Sequence, residues 1–528
     1  MGRRVLAAAT ALAVLLGAVL RVRQWAHGRA FWLDELLLQR AMSQQRITEL
    51  LDPLGFAQSA PPGWLAVQHV VLRISGGDER AARALPLLCG IGAIVLTALL
   101  ARTLLSGPAA LAATALVAAC PPLISYSAEF KQYSSDVFWV LLVVLLGVRV
   151  ALRRGRPGRG RVALAVTGGV AVWFSHAGAL VALGVFAALA LVALARRDAR
   201  ELRAAVAGGV PAVAGLALEW AVLLRRTAAD PVLQDYWAGA FPPDRLSWAA
   251  AADWAERRIA SVRVTALALD HPGLLLVLLL AGLLVLGLTR PPGLALLLVP
   301  TAAVAGAGLA GAYPISGRLA LFLVPLVAVA VAAVLDLPRL ASRLPRPAAR
   351  RAATAVATLL AAGAAAGVLV LIQPQVATDW QRIGHPEEKE ETRTVLTALA
   401  ARRGPRDLLL VDGHGARYAA AFYAPRVGAG PFEVLVPAPA DRRCRQTSLG
   451  ARLWAEQRYD QVWLFIVHTR PADEALYRAQ LARFGPEAGR LEARDALLVR
   501  LDRSPAPVPP PPSADRRCLK AVDPANLA

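Results

Sequence analysis

Three clusters of ionisable residues interrupt long apolar stretches of this chain. Such groups at membrane depth are costly unless they have partners or work to do. The adjacent carboxylates Asp34 and Glu35 follow Phe31 and Trp32 directly. A carboxylate there can accept a proton, but the same pair near the amino end of LDELLLQRAM also suits the dipole of a helix start. The segment SYSAEFKQYSSD (125–136) crowds Glu129, Lys131, Tyr133 and Asp136 into one short turn between two apolar runs. These groups either line a cavity or satisfy one another, a Glu129–Lys131 salt bridge being the simpler alternative. Arg318, in YPISGRLALFL, either snorkels to lipid headgroups or binds phosphate, whose oxygens a planar guanidinium meets bidentately. His176, in WFSHAGAL, is an interfacial hydrogen-bonding group or a ligand to a phosphate or acceptor.

The elements that must position these residues are apolar runs of about 17 to 22 residues, the length that a bilayer core demands of a helix. They predict about eleven spans, near residues 4–20, 82–105, 108–124, 136–152, 162–177, 179–195, 204–224, 273–289, 293–311, 319–335 and 353–372. With the amino terminus inside, the loops 153–161, 196–203 and 338–351 and their fourteen arginines fall in the cytoplasm, as short Arg-rich loops do. The odd count then exports the carboxy terminus. Residues 21–81, 125–135, the break at 174–178, the loop 225–272 and the turn at 313–318 all fall outside, where the chemistry is expected. The first outer loop alternates apolar and polar residues at helical spacing, the pattern of a segment lying in the membrane interface. The amino terminus resembles a signal peptide but lacks a small-x-small cleavage site before Arg21, Arg23 and Gln24, and is read as a retained first helix.

A chain of 528 residues that is 56% hydrophobic, with a mean hydropathy of +0.48, is too apolar for a soluble protein. The net charge of +21 sits in short loops, with no basic, aromatic-interleaved surface segment, so nucleic acid is not an expected partner. The four cysteines show no metal-ligand spacing, which argues against a thiolate zinc site. Cys89 and Cys120 lie in apolar runs and read as packing residues.

The sequence divides into a transmembrane domain (1–372), an extracytoplasmic α/β domain (373–503) and a Pro-rich disordered tail (504–528). In the second, residues 385–400, ARYAAAFYA and DEALYRAQLARF have helical patterns, while 407–412, 461–467 and 495–502 read as strands. The turn VDGHGARY lacks a full glycine fingerprint and reads as structural. Cys444 and Cys518 are the only thiols in the exported part and could bridge in an oxidising compartment.

A first outer loop opening on an acidic pair and closing on PPGW (61–64), followed by a charged and aromatic second loop, resembles the GT-C superfamily of membrane glycosyltransferases. The likeness is to the family 39 branch, which includes protein O-mannosyltransferases and lipid A aminoarabinose transferases, and it covers residues 5 to about 372 in layout. It implies a mainly α, polytopic bundle in the bacterial plasma (inner) membrane. It also implies an inverting transferase that moves a sugar from a polyprenyl-phosphate donor to a protein, lipid or glycan acceptor. By the same resemblance Asp34 corresponds to the catalytic base or acceptor-positioning acid and Glu35 to the second acid. Arg318 and Lys131 become candidates for the donor phosphate, and Glu129, Tyr133, Asp136 and His176 for the cavity and acceptor. Metal use varies within the superfamily, so a divalent metal ion stays open. A transporter or flippase is the rival reading. It predicts repeated halves and midplane charges, whereas no repeat is visible and the charges gather at one face. A non-catalytic assembly scaffold would leave the acidic pair dispensable.

Overall fold

The computed structural model describes residues 2–152, 158–243, 247–438, 459–468, 471–482, 484–503 and 518–522. The chain forms two compact units, Met1–Gly28 with Ala41–Glu387, and Arg29–Arg40 with Glu388–Ala528. The boundary expected at 372/373 falls inside one continuous helix, Pro347–Gly384. That helix stops where His385 precedes Pro386, whose ring disfavours helical backbone in the residue before it.

In the first unit all eleven apolar segments are helical, and nine helices among the described residues are long and apolar enough to cross a bilayer. The chain is a multi-pass membrane protein. The other two segments are shorter for local reasons. Gly107–Ala118 stops before Cys120, Pro121 and Pro122, and its last carbonyls are capped by Arg21, whose guanidinium reaches Val117 O and Ala118 O, each at 3.1 Å. The backbone resumes as the helix Pro121–Tyr126. Arg159–Phe174 ends at Ser175, whose hydroxyl accepts from Gly178 N at 2.7 Å and starts the helix His176–Ala195.

Lipid gives helices no hydrophobic reason to associate, so close approach of backbones matters. A Cβ on Gly282 would lie 1.9 Å from Ala330 O, and one on Gly184 would lie 2.4 Å from Pro300 Cα, so only glycine permits either contact. Outward faces stay apolar, with Leu280, Leu284 and Leu359 all exposed, as lipid-facing positions require. The long loop after residue 224 is itself helical, with Pro231–Trp237 and Trp248–Ser261. π-helical turns, Trp220–Leu224 and Val262–Leu267, stand at its two ends.

The second unit carries a six-stranded sheet ordered β4-β5-β3-β1-β2-β6. The strands are β1 (Leu408–Asp412), β2 (Glu433–Ala438), β3 (Gln461–Val467), β4 (Glu487–Ala493), β5 (Ala496–Asp502) and β6 (Cys518–Val522). β1 runs parallel to β2 and β3, with Leu410 opposite Leu464 and Asp412 opposite Leu435. The remaining pairings are antiparallel. β1 and β3 are buried throughout or nearly so, and their continuous apolar runs made them legible, whereas β4 is a largely exposed edge strand with a register shift at Glu487/Gly489. β6 corrects the expectation of a disordered tail at its far end: Cys518–Val522 pairs with β2. The helix Pro471–Leu481 packs through Tyr477 and Leu481 on the sheet's core of Leu410, Val462 and Leu464, and the helices Thr392–Ala400 and Ala416–Val427 also lie against the sheet. Cys444 lies outside the described residues, and with it the Cys444–Cys518 pairing.

Candidate active site

The turn at 127–132 joins Pro121–Tyr126 to Tyr133–Leu152, and it is buried rather than splayed into solvent. Phe130 stacks on Trp64 at 5.7 Å, both with no exposed surface, so PPGW anchors the turn. Around that stack, Lys131 Nζ donates to Gln58 Oε1 at 2.5 Å and Gln132 Nε2 donates to Ser59 O at 3.1 Å. Glu129 is fully buried and Lys131 nearly so. A buried ammonium and carboxylate in one turn give it strong local fields, because burial weakens solvent screening.

Tyr133 follows at the start of its helix and meets Tyr126 edge-on at 5.3 Å. The Arg318 guanidinium stands 5.7 Å from the Tyr133 ring centre, and its Nη2 donates to Tyr236 OH at 2.9 Å. Arg318 is only half-buried, on the short helical turn Gly317–Ala320 that Ser261 Oγ fixes by accepting from Gly317 N at 3.0 Å. A planar cation held beside two phenol rings is fixed in orientation.

Asp136 and His176 sit on neighbouring helices. Ser175 Oγ donates to Asp136 Oδ1 at 2.6 Å, and His176 Nε2 lies 3.1 Å from Glu219 Oε1. Glu219 has no exposed surface, and its Oε2 has no hydrogen-bond partner among the described residues. It ends the regular helix Ala199–Glu219, directly before a π-helical turn of the kind that often marks functional positions.

Asp34 and Glu35 belong to the second unit and the other six sequence candidates to the first. Asp34 and Glu35 open the helix Leu33–Gln44. Glu35 has no exposed surface and its Oε2 accepts from Trp32 N at 3.3 Å, which is the helix-start role. Asp34 keeps partial exposure. The start of this helix is held to the α/β domain by Phe31 N donating to Tyr423 OH at 2.6 Å and by Leu33 N donating to the Glu390 carboxylate at 3.1 and 3.2 Å.

Glu390 also meets His468, whose Nδ1 lies 3.4 Å from Glu390 Oε1 and 2.9 Å from Asp495 Oδ2. The hydrogen bond to Glu390, joined by that to Asp495, raises the His468 pKa to about 9, and burial raises that of Glu390. Asp412, by contrast, serves the local structure: it accepts from His414 N at 3.2 Å and Gly415 N at 3.3 Å in the turn that follows it, and from Tyr477 OH at 2.5 Å on the helix Pro471–Leu481.

Sequence reading missed Gln58, Ser175, Glu219, Tyr236 and the trio Glu390, His468 and Asp495. Glu219 left a signal, a lone acid in the apolar run AVAGLALEW (212–220). The trio left none, since its members lie far apart in the chain and no short motif joins them.

Residues 59–220 match the family described as dolichyl-phosphate-mannose-protein mannosyltransferase. That interval holds the buried turn, Ser175, His176 and Glu219. No curated protein matches the chain. Among solved structures it is similar to ArnT from Cupriavidus metallidurans in the apo state, with TM-score 0.50 and 14% identity, over 93% of this chain and 98% of that one. ArnT from the same organism bound to undecaprenyl phosphate gives TM-score 0.47 and 15% identity, over 95% and 100%. The archaeal oligosaccharyltransferase AglB from Archaeoglobus fulgidus, in complex with an inhibitory peptide and a dolichol-phosphate, gives 0.43 and 14%, over 97% and 76%. The likeness to the GT-C membrane glycosyltransferases is borne out by the family match and by the fold.

Proposed function

We propose, with that likeness as premise, that the chain is an inverting glycosyltransferase. It moves a sugar from a polyprenyl-phosphate donor to an acceptor at the extracytoplasmic face of a bacterial inner membrane. The observation that carries this reading is the buried, charged and aromatic segment 129–136, which falls inside the interval matching the dolichyl-phosphate-mannose-protein mannosyltransferase family. The acceptor hydroxyl attacks the anomeric carbon, the bond from that carbon to the phosphate oxygen breaks, and the polyprenyl phosphate leaves as a monoester. Asp34 takes the hydroxyl proton, a role its partial exposure leaves open, whereas Glu35 serves the helix start. Arg318 and Lys131 neutralise the charge that develops on the departing phosphate. Glu129, Tyr133, Asp136 and His176 shape the cavity and hold the acceptor, and Glu219 fixes the His176 ring.

The test is transfer in membranes supplied with a polyprenyl-phosphate sugar that the wild type turns over, comparing wild type with Asp34→Asn and Arg318→Ala. Loss of transfer with donor binding intact in Asp34→Asn, and weakened donor binding in Arg318→Ala, support the assignment. Near-normal transfer by Asp34→Asn removes Asp34 from the chemistry and moves the role to Glu35 or Glu129.

A further inference from the structure

We propose that Glu390, His468 and Asp495 form a binding site for a divalent transition metal ion of the zinc type, and that the ion fixes the start of the helix carrying Asp34 and Glu35. The three offer one nitrogen and two carboxylate oxygens, and their ligand atoms all lie within 4.8 Å of one another. Imidazole with carboxylate is a donor set that zinc accepts readily, and three protein ligands leave one position for water or another group.

The spacing of the three ligand atoms fits one shared ion. Ligands at about 2.1 Å from one zinc ion stand roughly 3.0 Å apart at right angles and 3.4 Å apart at tetrahedral angles. His468 Nδ1 is 2.9 Å from Asp495 Oδ2 and 3.4 Å from Glu390 Oε1. Glu390 is 2% exposed, and a carboxylate is that deeply buried only when it is paired or ligates a metal. His468 and Asp495 adopt left-handed backbone, with φ of 54° and 48°, a conformation that β-carbon-bearing residues keep only where the surroundings hold it. Binding releases the Nδ1 proton of His468 to solvent.

The ligands come from three separate stretches: the linker after the last long helix, the end of β3 and the β4–β5 turn. The linker is already laid on that turn, because Glu391 N donates to Arg494 O at 3.0 Å and Arg494 N donates to Glu391 Oε2 at 2.9 Å. Glu390 also accepts from Leu33 N, one residue before Asp34, and such a bond orients a ligating carboxylate. An ion on Glu390 therefore orders the segment 29–36 through a hydrogen bond already in place. The metal site does not depend on the transferase reading; only its consequence for Asp34 does.

The experiment uses the full chain, free of any histidine tag, in lipid nanodiscs, stripped with chelator and titrated with Zn²⁺ by calorimetry in millimolar Mg²⁺. Bound metal is counted by elemental analysis, and hydrogen exchange is followed over residues 29–40. The expected result is one Zn²⁺ per chain, bound at least tenfold more weakly by His468→Gln and by Asp495→Asn. Exchange over residues 29–40 should slow on adding zinc to the wild type and stay unchanged in both variants. These are near-isosteric changes at exposed positions, and a variant that elutes aggregated is set aside in favour of the other. The metal site is overturned by the absence of stoichiometric zinc, or by equal zinc binding in wild type and both variants, which would leave the trio an ion-paired cluster only. Zinc bound with exchange over residues 29–40 unchanged overturns the coupling to the acidic helix.

Discussion

Replacing Asp34 by Asn removes one proton acceptor while keeping size and most hydrogen-bonding capacity, which makes it the most discriminating single perturbation. Asp34 is partly exposed at the start of its helix, where loss of its charge costs about 0.3 to 1 kcal/mol of stability, too little to unfold the protein. General-base assistance is typically worth about 10² to 10⁴ in rate, or roughly 2.7 to 5.5 kcal/mol of barrier. Glu35→Gln is the internal control. Its side chain is buried and accepts from Trp32 N, a bond that the amide oxygen of Gln can still accept. The charge at the helix start alone accounts for about 0.3 to 1 kcal/mol of stability, and the rate should fall less than about fivefold. The assay is single-turnover transfer in nanodiscs at saturating donor, with polyprenyl-phosphate binding measured in parallel. Asp34→Asn turning over within tenfold of wild type would refute the assignment. So would a Glu35→Gln loss as large as that of Asp34→Asn in a protein that still binds donor.

Arg318→Ala should weaken binding of a polyprenyl phosphate by about 10- to 100-fold, the worth of one charge-assisted contact, measured by titration in nanodiscs. Unchanged affinity would mark Arg318 as a lipid-headgroup residue. Ser175→Ala removes both the cap on Gly178 N and the bond to Asp136, and should cost about 2 to 4 kcal/mol in stability, read from unfolding in detergent. A loss below 0.5 kcal/mol would show Asp136 finding another partner. Reporter fusions after residues 158 and 345 should score cytoplasmic and those after 250 and 400 extracytoplasmic. The fusion at 158 tests whether the broken segment 107–126 crosses the membrane, since its helices of 12 and 6 residues are each short of a full span.

The bundle was legible because lipid imposes one long, uniformly apolar signature per helix, and all eleven runs fold as helices. Their interruptions were less so. Whether an apolar run bends at Cys120 and Pro121 depends on Arg21, about a hundred residues earlier, reaching the carbonyls left unpaired there. The charged turn showed itself because Glu129, Lys131 and Asp136 stand out against apolar neighbours. Gln58 and Ser175 are ordinary residues whose roles come entirely from what the fold sets beside them. Three of the six strands escaped notice: Gly489 and a register shift at Glu487/Gly489 break the pattern of β4, β2 ends on Pro437 and Ala438, and β6 lies beyond a proline-rich run.

Because β6 closes the free side of β2, the far end of the chain acts as a selvedge on the sheet. A protein cut after Arg503 would present the five backbone positions of β2 that face β6, Val434 to Ala438, as a bare row of hydrogen-bonding groups. Such a row accepts any passing strand, and the nearest supply is the matching segment of another copy. Shortening the tail for expression would then trade a self-sealed sheet for edge-to-edge pairing between molecules.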